Sequence, residues 1–189
     1  MRWPAALPAA NVPTMQRSTG YTLLELLVTL AVGAMLLALA VPAFTHLVLD
    51  SRLTSAVNRF VHGVYVARHE ALKYGADVAL CRSASGKQCV QAGRWETGFI
   101  VFVNRDRDDP PRVDSGEPIL QVEGRLPAGA ILANRSSFVF RPWGRSVNGT
   151  LTFCDRRGNP SARAVVVSYT GRPRAASAAE ANGALKCPA

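Results

Sequence analysis

The residue that most needs a chemical explanation is Glu25, the single charged residue in the apolar segment 21–44. An ionised side chain inside a membrane costs roughly 2.5–3.5 kcal/mol, so a carboxylate in such a segment indicates a function. Cleavage after Gly20 would create a new α-amino group at Tyr21, four residues from Glu25. The amino terminus of a neighbouring subunit would then neutralise this carboxylate during assembly.

Arginine is concentrated towards the end of the chain. The 189-residue sequence has a formal net charge of +9, with 22 Lys and Arg against 13 Asp and Glu. Residues 21–134 are neutral overall, whereas residues 135–189 carry nine basic and two acidic side chains. Eight of the nine are arginine, whose planar guanidinium binds phosphate through paired hydrogen bonds. This distribution indicates a basic face suited to phosphate, not a uniformly basic surface.

The main candidates for that face follow the last predicted strand. In Gly171-Arg172-Pro173-Arg174, two arginines extend from a stiff, non-helical segment because proline fixes φ and removes a donor. Arg156 and Arg157 lie in the preceding turn and Arg163 opens the strand, so these groups share one edge if the strands there pair. The alternative is a turn at Gly171 with arginines that are only solvated.

The four cysteines, Cys81, Cys89, Cys154 and Cys187, allow three sets of disulfide pairings. We favour Cys81–Cys89, which closes a short glycine-containing hairpin, and Cys154–Cys187, which ties down the tail. In the chain-entropy treatment the longer loop contributes about 3–4 kcal/mol. A zinc site is disfavoured because the sequence has no Cys-x-x-Cys pair. We expect no metal and no cofactor.

The other polar clusters do not form a recognisable active site. His62 and His69 are seven residues apart on the polar helix face and are interpreted as solvated. Residues 104–109 carry oxygen ligands at alternate positions, as calcium loops do, but lack the glycine and distal glutamate, which favours a solvated turn. Since the sequence has no nucleophile elbow, phosphate loop or His-Glu-x-x-His, we expect no enzyme activity.

One long helix must position the N-terminal groups. Segment 21–44 exceeds the roughly 20 apolar residues that span a membrane, and Arg17 before it favours a cytoplasmic N-terminus. Pro42 is expected to kink this helix without ending it. Beyond the proline, apolar residues recur at three or four positions, as Leu49, Leu53, Ala56, Phe60, Val64, Ala67 and Ala71. The spacing predicts one helix over residues 21–74, with Gly75 as its C-cap.

Short β-type runs bounded by turn residues follow the helix. They are residues 77–81, 99–103, 119–122, 130–132, 137–140, 150–154 and 164–169. Such strands cannot bury their faces without a partner layer, which the second half of the helix supplies. Residues 175–184, rich in alanine, are predicted to form a flexible connector before Cys187.

The sequence Gly20-Tyr21-Thr22-Leu23-Leu24-Glu25-Leu26 closely resembles the cleavage motif of type IV prepilins. The resemblance implies cleavage after Gly20 by a prepilin peptidase, N-methylation of Tyr21, and pairing of Glu25 with a neighbour's amino terminus. The leader of 20 residues is long for that family, and a start at Met15 would give the same mature protein. A plain signal anchor, or a signal peptide cut after Ala40, leaves Glu25 unexplained.

Several patches of the second half resemble the FimT/FimU/GspH group of minor pilins and pseudopilins. They lie at residues 67–73, 78–83, 95–103, 153–158 and 165–172. The resemblance implies a pilin-like α+β fold, in which a long N-terminal transmembrane and amphipathic helix packs on a C-terminal domain of antiparallel β-sheets. Gly171-Arg172-Pro173-Arg174 further resembles the Gly-Arg-x-Arg motif through which FimT-type minor pilins bind DNA.

These observations predict a leader over 1–20, a transmembrane half-helix over 21–44, an amphipathic half-helix over 45–75, a β-rich domain over 76–174 and a tail over 175–189. The expected protein is a minor pilin of a type IV pilus, single-pass in the bacterial inner membrane with a periplasmic C-terminal domain. Its expected partners are other pilin subunits, the prepilin peptidase and, through phosphate-led contacts, DNA taken up in natural transformation. The alternatives are a GspH-type pseudopilin of type II secretion that does not bind DNA, and a membrane-anchored periplasmic enzyme.

Overall fold

The structure, a computed structural model, describes residues 20–178, 180 and 185–188. It contains one long helix, α1 (Leu23–Tyr74), followed by eight strands. These are β1 (Asp77–Arg82), β2 (Phe99–Asn104), β3 (Ile119–Glu123), β4 (Ala130–Ala133), β5 (Ser137–Phe140), β6 (Gly149–Cys154), β7 (Arg163–Val167) and β8 (Pro173–Ser177). The chain divides within α1 into two compact units, residues 1–43 and 44–189.

The described part of the first unit is the beginning of α1. Thr22 precedes the helix, and its side-chain oxygen accepts a hydrogen bond from the Glu25 backbone N–H at 3.2 Å. This N-cap satisfies one of the donors that a helix start leaves without a partner. The apolar side chains that follow, such as Leu24 and Leu30, are exposed within the unit. By length and composition, α1 is the one helix of the described residues that could cross a membrane.

The second unit packs the rest of α1 against two antiparallel sheets. Sheet A has the strand order β3-β2-β1-β5, and sheet B has the order β4-β6-β7-β8. Most of the predicted stripe of α1 is buried, and the stripe also includes Val57 and Gly63. The helix ends at Tyr74, and Gly75 follows it with a φ of 62°, a left-handed conformation typical of a C-cap. The α+β fold expected from the sequence is therefore confirmed.

Phe60 of α1 lies at the centre of this core. It is fully buried, and its ring meets those of Trp95, Phe99 and Phe138 edge-on at centroid distances of 5.9 Å. Phe153 of β6 lies 6.3 Å away in a similar arrangement. Aromatic pairs prefer this geometry over flat stacking. The helix and both sheets are thus joined through one aromatic cluster.

The C-terminal end of the β-rich unit differs from the sequence expectation. Residues 173–177 form β8, antiparallel to β7, and residues 175–177 of this strand lie where a flexible connector was predicted. The β-rich part therefore continues past position 174 to Ser177. Pro173 is compatible with this strand because β8 lies at the edge of sheet B and proline is its first residue. The alanines that follow do not alternate with polar residues as in a typical strand. The sequence therefore did not predict a strand here.

Both favoured disulfide pairings are present. Cys81–Cys89 closes the segment that follows β1, and Cys154–Cys187 joins the end of β6 to the C-terminal segment. Leu185 packs beside the second bond in a small apolar cluster with Ala162. The described part of the tail is therefore fixed against sheet B.

Candidate nucleic-acid interface

Arg157 is committed to contacts within the protein. Its Nη2 donates to Asp155 Oδ2 at 2.7 Å and to Asp50 Oδ1 at 2.9 Å, and its side chain is 14% exposed. Asp50 belongs to α1, whereas Arg157 lies in the turn after β6. Arg157 therefore ties sheet B to the helix. It was predicted to bind phosphate, but its guanidinium is occupied by these two carboxylates.

These contacts shift the pKa values of all three groups. The hydrogen bond from Arg157 holds the pKa of Asp50 below its usual value. Burial raises the pKa of Asp155, but the hydrogen bonds from Arg157 outweigh that effect and lower it. Hydrogen bonds to Asp155 and Asp50 raise the pKa of Arg157. All three groups are therefore held in their charged forms.

Arg163 is likewise directed towards α1. Its Nη1 donates to Thr54 Oγ1 at 2.7 Å, and its Nη2 lies 3.8 Å from Asp50 Oδ1. In β7, Arg163 shares a face with the buried Val165 and Val167, since successive residues of a strand alternate between faces. Arg174 is paired with Val166 and points to the opposite face of sheet B. The predicted arginines consequently do not share one edge.

Arg156 is exposed beside Arg157. It lines a cleft with Leu49 of α1 and Arg125 of the segment before β4. No described carboxylate lies within 4.0 Å of its guanidinium. Arg156 is thus free to meet an anion, but from a different cleft than the one formed around Arg157 and Arg163.

Gly171 and Arg172 belong to a well-bonded turn between β7 and β8. The Gly171 N–H donates to the Ser168 carbonyl at 2.8 Å, and the Ser168 N–H donates to the Arg172 carbonyl at 3.0 Å. Gly171 has a φ of 72° and is buried against the ring of Phe140, so a side chain there would be both strained and crowded. This conformation leaves Arg172 and Arg174 exposed on either side of Pro173.

A second turn, residues 141–145 after β5, lies against the β7–β8 turn. The Ser146 N–H donates to the Tyr169 carbonyl at 2.8 Å, and Ser146 Oγ donates to the Ser168 carbonyl at 3.0 Å. Arg145 Nη1 donates to the Tyr169 hydroxyl at 3.2 Å. Arg145 thus lies beside the Gly171 turn although it is 26 positions before Gly171 in the sequence. Its place in the basic region 135–189 was the sequence signal that could have identified it.

The remaining sequence candidates lie elsewhere. His62 and His69 are exposed on α1. In the segment 104–109, Asn104 Oδ1 accepts the Arg107 N–H at 2.9 Å and Asp106 Oδ1 accepts the Asp108 N–H at 3.2 Å. These side chains stabilise their own loop, which supports the interpretation as a turn.

Comparisons with known proteins agree with this architecture. Residues 56–171 match the family described as type II transport protein GspH, and residues 15–41 match the prokaryotic N-terminal methylation motif. No curated protein matches the sequence.

Solved structures of a type IV minor pilin share the fold at low sequence identity. The type IV minor pilin FimU of Pseudomonas aeruginosa superposes in two crystal forms. One has a TM-score of 0.51 at 16% identity, covering 68% of this chain and 91% of FimU. The other has 0.50 at 14%, covering 67% and 94%. The minor pseudopilin EpsH from the type 2 secretion system of Vibrio cholerae gives 0.44 at 12%, covering 64% of this chain and 93% of EpsH.

Proposed function

This chain belongs to the family of the type II transport protein GspH, and we propose that it is a minor pilin of a type IV pilus that binds DNA in natural transformation. The Gly171 turn carries this proposal, because it holds Arg172 and Arg174 exposed beside a rigid strand pairing. Guanidinium groups on a fixed turn are suited to the phosphates of a nucleic-acid backbone.

The N-terminal segment supports processing and assembly as a pilin. A prepilin peptidase cleaves after Gly20 and methylates Tyr21, as the methylation motif over residues 15–41 suggests. Glu25 then lies in the first turn of α1, where the amino terminus of a neighbouring subunit neutralises it in the membrane. The partners implied are other pilin subunits and the peptidase.

The disulfides support a periplasmic position for the second unit. Cys81–Cys89 and Cys154–Cys187 persist in an oxidising compartment and not in the cytosol. In this proposal the apolar half of α1 anchors the protein in the inner membrane and the sheets lie in the periplasm before the protein enters the pilus.

The proposed contacts with DNA do not depend on its base sequence. Arginine–phosphate contacts carry no base information. The logarithm of the binding constant for duplex should fall with the logarithm of salt concentration by about 0.9 per phosphate neutralised. The alternative function is that of a minor pseudopilin of type II secretion without DNA binding, which the family description itself favours.

The test compares two double variants of the full chain in detergent micelles by fluorescence anisotropy with a labelled duplex at low salt. Arg172→Ala/Arg174→Ala removes two charges from the turn. Lys87→Ala/Arg112→Ala removes two exposed charges from the segments after β1 and β2, neither of which is in an ion pair among the described residues. We expect a loss of roughly tenfold or more from the first variant alone.

Equal losses in the two variants would show that only net charge matters and would remove the turn from the proposal. Absence of binding to any form of DNA by the unmodified chain at low salt would favour the pseudopilin function.

A further inference from the structure

Two exposed aromatic side chains lie on the joined turns. Trp143, in the 141–145 turn, is 58% exposed, and Tyr169, before Gly171, is 54% exposed. Large aromatic side chains lower the free energy by burial, so two open rings on neighbouring turns indicate a surface that contacts another molecule. We call Trp143, Arg145, Tyr169 and Arg172 the two-turn surface.

An arginine accompanies each ring. The Arg145 Cζ lies 5.3 Å from the centre of the Tyr169 ring, and the Arg107 Cζ lies 5.7 Å from that of Trp143. Both distances are within the range of cation–π attraction. The arginines do not cover the rings, because more than half of Trp143 and of Tyr169 is still exposed.

The positive charge of this surface is only partly compensated. Arg107 and Arg141 each lie 3.9 Å from the buried carboxylate of Asp77. In contrast, no carboxylate of the described residues lies within 4.0 Å of the guanidinium of Arg145 or Arg172. Arg145 is thus an unpaired arginine beside the open ring of Tyr169, whereas Arg107, beside Trp143, also lies near Asp77.

From this arrangement we propose that the two-turn surface binds single-stranded DNA in preference to duplex, a substrate class that rests on the proposed DNA-binding function. Tyr169 and Trp143 stack on unpaired bases, while Arg145 and Arg172 contact phosphates. Bases in a duplex already stack on each other, so their faces are closed to protein rings. Bases of a single strand are open, and aromatic stacking is the usual way in which proteins bind them without reading sequence.

The experiment measures affinities of the full chain in detergent micelles for a labelled oligonucleotide, alone and annealed to its complement, at the same salt concentration. We expect the single strand to bind about five- to tenfold more tightly than the duplex. Trp143→Ala and Tyr169→Ala should each weaken single-strand binding by about that factor and change duplex binding less than twofold. Trp143→Phe, which keeps a ring, should retain most of the preference.

Two controls separate stacking from other effects. Tyr169→Phe keeps the ring but loses the hydroxyl that accepts from Arg145, so a preference that survives this change depends on the ring. Tyr65→Ala removes an aromatic side chain of equal exposure, 54%, from α1 and should have no effect.

Equal affinity for single strand and duplex would overturn the single-strand proposal, and so would losses in Trp143→Ala and Tyr169→Ala no larger than in Tyr65→Ala. If duplex binding still depends on Arg172 and Arg174 in that case, the proposed function stands and only its substrate class is wrong. If neither form of DNA binds, both proposals fail together.

Discussion

Arg157 and Asp50 are 107 positions apart in the sequence, yet Arg157 Nη2 and Asp50 Oδ1 are 2.9 Å apart. The contact joins the turn after β6 to the beginning of the helical segment in the second unit. Asp155, whose side chain is 7% exposed, accepts hydrogen bonds from Nη2 and Nε of the same guanidinium. This arrangement explains why two adjacent arginines, Arg156 and Arg157, have different roles.

Replacement of Arg157 is expected to destabilise the globular part. Arg157→Ala leaves the nearly buried Asp155 without its charged partner, and hydrogen bonds to charged groups contribute roughly 1.5–3 kcal/mol. We expect the free energy of unfolding to fall by about 2 kcal/mol in urea titrations of the disulfide-intact chain. The neighbouring Arg156→Ala, at an exposed position, should stay within about 0.5 kcal/mol of the unmodified protein. Similar stability of the two variants would contradict the assigned role of Arg157.

Stability is expected to fall in acid because of the same cluster. The pKa values of Asp50 and Asp155 are lowered in the folded state from 3.8. The ionised forms of both carboxylates therefore stabilise the folded state. Their contribution to the free energy of unfolding is complete above the unfolded pKa and is lost as the pH falls through the lower folded values. Thermal melting between pH 6 and pH 2 should show a decline that begins near pH 4 and is smaller in Asp50→Asn/Asp155→Asn. A decline of the same size in this variant would assign the acid sensitivity to other carboxylates.

The two disulfides are expected to contribute unequally to the free energy of unfolding. Cys154–Cys187 spans 33 positions and Cys81–Cys89 spans eight, and loop-closure entropy grows with loop length. Replacing both cysteines of the longer bridge by serine should therefore cost about 1 kcal/mol more in unfolding free energy than the same change in the shorter bridge. Urea titrations of the two double variants measure this difference. The reverse order would mean that local packing, not chain entropy, determines the effect.

The mature amino terminus is a separate test of the pilin interpretation. Mass spectrometry of the protein from its native host should find N-methylated Tyr21 as the first residue. Gly20, which precedes Tyr21, is exposed two residues before the helix cap at Thr22. A mature chain that begins at Val41 would instead identify residues 1–40 as a secretory signal peptide and remove Glu25 from the mature protein.

Much of the fold could be predicted because its signals are local. The stripe from Leu53 to Ala71 follows from helical periodicity, and the seven strands before β8 are apolar runs between turn residues. Strand β8 was missed because Pro173 and the alanines after it do not have the composition of a strand. Its stability comes from pairing with β7, which is a tertiary interaction.

The candidate site was predicted less completely, for a similar reason. Charge counting selected Arg157 and Arg163 together with Arg172, but counting cannot show that Asp50, on a distant helix, neutralises two of them. Because side chains alternate between the two faces of β7, Arg163 points towards the helix only if the helix covers its face of sheet B. The sequence does not show which face the helix covers. Arg145 was not singled out because only the folded chain brings it to Tyr169.

Pro173 and Arg174 also affect how β8 meets other molecules. Strand β8 is the last strand of sheet B in the described part of the chain, and an edge strand offers unpaired backbone groups to any other extended chain. Proline lacks one of the N–H groups needed for such pairing, and a charged side chain makes the approach of a second, identical edge repulsive. The segment that is proposed to hold DNA therefore also discourages aggregation through the sheet edge before a subunit is assembled.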